Sequence, residues 1–221
     1  MDELESKAVF QQVRVAHRMA VAYYKRLFQL LKEVTNDERF GLNFLAWDTN
    51  DFSRPCLRKS NVFESWEWDL LPGISTHYVF YNGKSQNEQS EGDWLLDCHV
   101  ITDTGVLGDW GGENKDPLDL KISAEDASSV LKCHLQAPVK AGKLKWYEDI
   151  WKASSDLECT KSVEVAYVDD KESIMGCSFE IPLDDLTGNN ASEKLVQKIV
   201  EFRDVLLIEI KEKSKMKDAT A

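Results

Sequence analysis

Apolar positions recur along the first 35 residues with a helical period. Val9, Val13, Ala16, Ala20, Tyr23, Leu27, Leu30 and Val34 are spaced 4-3-4-3-4-3-4, in a stretch free of Gly and Pro. That spacing predicts one helix of about 30 residues, roughly 45 Å long, with a heptad seam. Phe10, Met19, Tyr24, Phe28 and Leu31 widen the stripe beyond a strict seam. A wide stripe suits packing on a sheet or on several helices. The expectation is therefore a core helix within the chain, with sharing across a homodimer interface as the alternative. Asn36-Asp37 and Gly41 mark its end.

The period then changes from 3.6 to 2. Leu42–Trp47 is a short apolar run, and Thr76–Asn82 and Asp93–Thr102 are rich in β-branched and aromatic residues around a polar Gly83–Gly92 turn. This predicts an antiparallel hairpin with a long loop. Ser128–Val139 predicts another strand. Lys161–Val168 and Ser173–Ile181, joined by Asp169-Asp170-Lys171, predict a second hairpin. Leu131, Cys133 and Leu135 alternate with Lys132, His134 and Gln136, which predicts a sheet with one apolar and one solvated face. Glu148–Ala153 reads as a short helix. Ser192 reads as the N-cap of a final helix over 192–213, with Leu195, Ile199, Phe202, Leu206 and Ile210 as its buried stripe and a fraying tail from Lys211. The expected fold is a single α+β domain over 1–221. Its parts are an N-terminal helix (1–36), an antiparallel sheet of five to six strands (40–182), and a C-terminal helix, with both helices on one face.

Composition bounds the class. With 221 residues, 43% of them hydrophobic and 30% charged, and only 11 Gly and 5 Pro, the chain can build one ordinary core. The net charge is −12, which disfavours direct binding to nucleic acid or to an anionic membrane. Nearly all of it lies in residues 64–126, where three bases face fourteen acids. The five cysteines, Cys56, Cys98, Cys133, Cys159 and Cys177, are odd in number, widely spaced and lack a CxxC. They predict free thiols in a reducing, cytoplasmic compartment, with Cys98, Cys133 and Cys177 buried in apolar, strand-like runs. No signal-peptide pattern and no run of 18 apolar residues is present.

No P-loop, dinucleotide fingerprint, HExxH or GxSxG occurs, and no cofactor is expected. Gly108–Gly112 is Gly-rich but lacks the Lys of a phosphate cradle. Strand alternation places Asp97 and His99 on one face. Asp103 extends that row, and His77 or His134 from a neighbouring strand would complete a divalent-metal set. Asp184 followed by Glu209-Ile210-Lys211 has the spacing of a PD-(D/E)xK nuclease, although the second half reads better as a helix. Cys98-His99 and Cys133-His134 each point to opposite faces and form no dyad by themselves.

The most unusual stretch is Phe63–Gly73, in which Trp66, Glu67, Trp68 and Asp69 alternate aromatic and acidic side chains. Trp94, Asp97, Asp103 and Trp110 follow in the same acidic region. Trp faces attract cations and carboxylates pair Lys or Arg, so these eight residues form the candidate binding set. The expected function is a non-enzymatic cytoplasmic interaction protein (adaptor, immunity-type or chaperone-like) that docks a protein partner, a basic one by charge. The alternatives are a metal-dependent hydrolase or nuclease, and a DNA-mimic inhibitor.

Overall fold

The computed structural model describes residues 3–49, 71–107, 120–155 and 157–219. Helix α1 spans Glu3–Thr35, and the strands are β1 (Leu42–Asp48), β2 (Ser75–Asn82), β3 (Trp94–Ile101), β4 (Val130–Pro138), β5 (Ala166–Tyr167) and β6 (Ile174–Pro182). Helix α2 spans Ala191–Ala219. The six strands form one antiparallel sheet in the order β1-β2-β3-β4-β6-β5. This is the α+β architecture that the change of hydrophobic period predicts.

The alternation of side chains sorts the sheet into two faces. On one face Tyr78, Phe80, Trp94, Leu96, Cys98, Val100, Leu131, Cys133, Leu135, Met175, Cys177, Phe179 and Ile181 form the main core. Leu27, Leu30, Leu31 and Val34 of α1 and Leu195, Ile199, Phe202, Leu206 and Ile210 of α2 close it. Both helices therefore cover one face, as their stripes predict. Phe179 and Phe202 meet ring to ring at 4.7 Å. Gly41, at φ +61°, turns the chain from α1 into β1, a conformation that favours glycine. Arg39 ties this corner to α2, bonding Asp37 at 2.7 Å and Glu193 at 2.8 Å.

Four sequence expectations change. The face expected to be solvated is covered instead. Val79, Tyr81, Leu95, Ile174 and Val168 pack with Trp146, Ile150 and Trp151 into a second, smaller core. The covering segment, Trp146–Trp151, is a single π-helical turn rather than an α-helix over 148–153. It is held by Trp146 Nε1 donating to the Ser85 carbonyl at 3.0 Å. His134 and Gln136, expected to face water, are each 6% exposed. The strand expected over 161–168 shortens to Ala166–Tyr167, where it pairs with Met175 and Gly176. Finally, α2 begins at Ala191, one residue before the expected cap, and runs through the expected frayed tail. Glu209 and Lys211 accordingly lie on a helix and not on the strand that a PD-(D/E)xK site needs.

Leu206 is fully buried on α2. Leu206→Ala should cost about 2–5 kcal/mol in urea denaturation through the lost contacts and the cavity left behind. Val13→Ala, at an exposed position of α1, should change the stability of the monomer by no more than about 0.5 kcal/mol.

Candidate functional site

The covered face carries most of the polar chemistry. Strand register sets His77 opposite His99, and Asp97 opposite His134, which in turn lies opposite Ser178. Asp97 is buried, and its Oδ2 accepts from His77 Nδ1 at 2.8 Å and from Trp151 Nε1 at 2.9 Å. The His77 and His99 rings stack at 3.8 Å, and Ser75 Oγ lies 2.8 Å from His99 Nε2. His134 Nδ1 lies 2.7 Å from Ser178 Oγ. At the rim, Tyr147 donates to Asp48 Oδ2 at 2.9 Å, and Lys152 pairs with the same carboxylate at 3.4 Å.

The electrostatics follow from burial and pairing. Burial alone would raise the Asp97 pKa, but the His77 hydrogen bond, the His77 and His134 rings and the Trp151 N–H outweigh it and hold the carboxyl below its ordinary range. His99 moves the other way. Burial, reinforced by the neighbouring His77, lowers it to about 3. A charged Asp97 thus anchors the π-helical turn through Trp151 while His99 stays neutral.

The sequence-predicted residues fall into three groups. Asp97, His99, His77 and His134 do come together on one face, as alternation implies. Among the described residues, however, no group of three or more His, Cys, Asp or Glu is arranged to hold a metal ion. Asp103 leaves that row: its Oδ1 accepts from the Gly105 backbone N–H at 2.9 Å and closes the turn after β3. Trp94 and Asp97 are each 2% exposed, so neither presents a surface to a partner. Trp94 packs edge-on to Phe40 at 5.7 Å. Trp66, Glu67, Trp68, Asp69 and Trp110 lie outside the described residues. Cys98 and Cys133 belong to the helix-covered core, on the face opposite the histidines, so neither Cys-His pair forms a dyad. Cys98, Cys133, Cys159 and Cys177 are free thiols.

The exposed surface includes the first half of α1, which the candidate binding set leaves out and which the sequence offers only as an alternative homodimer interface. Tyr23 onward, α1 packs on the body, but residues 7–22 are exposed throughout, a length of about 24 Å. Val9, Phe10, Val13, Val15, Met19 and Val21 are 43–69% exposed along it. At 100° per residue Val9 and Val13 share one side of the helix, Phe10 and Met19 flank it, and Val15 and Val21 fall toward the opposite side. From Ser6 to Lys32 the sequence has no acid and six bases, within a chain of net charge −12. The available signal was length: a seam of nearly four heptads outruns a sheet whose strands are 7–9 residues long where they meet the helices. A family model matches residues 3–204. The chain belongs to the PM0109 family. The match takes in α1, all six strands and the first half of α2. No curated protein and no solved structure matches the chain. None of the helices described is long and apolar enough to cross a membrane.

The His99 environment sets a pH dependence. The folded pKa of about 3 lies below the ordinary 6.5, so the unfolded chain binds the extra proton first. Stability should fall as pH drops from 6.5 toward 3, approaching about 1.4 kcal/mol per pH unit for that one proton. Asp97, with its lowered pKa, adds stability that is lost only below the ordinary carboxyl range. Urea midpoints at neutral and mildly acidic pH check this, and His99→Gln should flatten the slope above the carboxyl range.

Proposed function

We propose that the chain is a non-enzymatic interaction protein of the cytoplasm whose docking element is the exposed half of α1. The observation that carries this reading is the exposure of Val9, Phe10, Val13 and Met19, around one side of a helix whose following turns are rooted in the main core. Leu27, Leu30, Leu31 and Val34 fix the direction of the helix, so its free half is presented as a pre-formed rod and little ordering entropy is lost on docking. Helix-in-groove or helix-on-helix recognition uses this kind of surface, with anchors at i, i+3, i+4 and i+7. The free thiols of Cys98, Cys133, Cys159 and Cys177 support a reducing compartment.

This places the docking element away from the acidic, Trp-containing segment. Of the residues expected there, Trp94 and Asp97 support the fold from inside it, and Asp103 ties its own turn. The buried His77–Asp97–Trp151 network is read in the same way, as an anchor for the π-helical turn.

A photoreactive residue in place of Phe10, in intact cells, tests the reading. Irradiation should give a cross-linked product from position 10, in clear excess over the same probe at Ile208, an exposed apolar position on α2. Equal or absent cross-linking from position 10 would contradict it.

A further inference from the structure

We propose that the outward face of α1 binds an anionic lipid surface, with the helix lying lengthwise on the headgroups. The placement of the bases carries this. At 100° per residue Lys7, Arg14, Arg18, Lys25 and Lys32 fall within an arc of about 40° and run about 38 Å along the helix. All five are exposed. Leu27, Leu30, Leu31 and Val34, which root α1 in the main core, centre on the opposite side of the helix. The stripe therefore points away from the body along both halves of α1. From Lys7 to Lys32 no acid interrupts it, and Glu33 lies about 80° round from its centre. Among the described residues Arg14, Arg18, Lys25 and Lys32 make no ion pair, so folding leaves their charge uncompensated.

Three features favour a lipid surface over another polyanion. First, a straight ridge meets a plane along its whole length, whereas the phosphate strands of a duplex wind away from it. Second, exposed apolar side chains border the stripe. Val21 is 69% and Phe28 50% exposed on one edge, and Val15 is 48% exposed on the other. Beside the bases these side chains enter the headgroup boundary, as on helices that lie in a membrane interface. A phosphate backbone offers them no apolar partner. Third, the net charge of −12 does not oppose the contact locally. The body lies across a helix about 10 Å thick, more than the Debye length of about 8 Å at physiological ionic strength, so its repulsion is screened. Each base near an anionic leaflet strengthens binding about fivefold. None of the helices described is apolar enough to cross the bilayer, so the contact is peripheral.

This face is separate from the Val9 and Val13 side, so the position-10 cross-link and the lipid contact stand or fall independently. Co-sedimentation of the full chain with vesicles tests the lipid contact. Vesicles of equal parts phosphatidylcholine and phosphatidylglycerol should carry the chain down at low salt and release it at high salt. Vesicles of phosphatidylcholine alone should not carry it down. Arg14→Gln with Arg18→Gln, on the free half, and Lys25→Gln with Lys32→Gln, on the anchored half, should each weaken binding about 25-fold, two bases at about fivefold each. Lys161→Gln with Lys171→Gln, two exposed bases outside α1, should leave binding unchanged. The circular dichroism and urea midpoints of all three variants should match wild type, because each replaced side chain is exposed. Equal binding to both kinds of vesicle, or binding to neither, would overturn the proposal. So would an equal loss in the Lys161/Lys171 control, or capture by duplex DNA in place of vesicles. Loss confined to one of the two α1 pairs would overturn the lengthwise contact.

Discussion

The packing of two helices on one sheet face organises this molecule. Leu27, Leu30, Leu31 and Val34 from α1, with Leu195, Ile199, Phe202, Leu206 and Ile210 from α2, bury the odd or even positions of β2, β3, β4 and β6 that point their way. This apolar burial is the dominant favourable term in such a fold. It also has a geometric consequence for α1. The sheet is too narrow to use a 33-residue helix along its length, so the last four turns are consumed and the preceding four are left with their apolar side chains in water. The exposed half inherits its fixed direction from the anchored half.

The opposite face solves a different problem. Its side chains include His77, Asp97, His99, His134, Gln136 and Ser178, a set that would ordinarily face solvent. A single turn carrying Trp146, Ile150 and Trp151 covers it, and the cost of burying Asp97 is offset in part by two hydrogen bonds donated to Oδ2, while Oδ1 is buried without a hydrogen-bond partner. The result is a polar network whose strength depends on protonation. A neutral His99 stacked on His77 is compatible with burial, and a charged one is not.

Much of this architecture is legible in the residues themselves. The 4-3 seam of α1 and the 2-period of β2 to β4 and β6 each locate an element to within a residue or two, and the stripe of α2 locates its start, because local period and burial agree. The grouping of Asp97 with His99 also follows from alternation alone. What fails is the inference from polarity to exposure. His134 and Gln136 look like a solvated face because the sequence does not show that a π-helical turn some ten residues later folds back over them. Trp94 looks like a candidate anchor in an acidic stretch, yet it sits at the start of β3 on the core side. For α1, the width of the apolar stripe suggests a helix buried along its whole length. Only the three-dimensional size of the sheet reveals that half the stripe is left uncovered among the described residues. Net charge misleads in the same way, since −12 is an average over an acidic body and a helix whose residues 6–32 carry bases only.

The most direct test of a divided α1 is hydrogen exchange followed peptide by peptide. Residues 23–35, rooted in the main core, should be strongly protected. Residues 7–22, exposed along their length, should exchange much faster. Protection of 7–22 equal to that of 23–35 in the isolated chain would contradict the account.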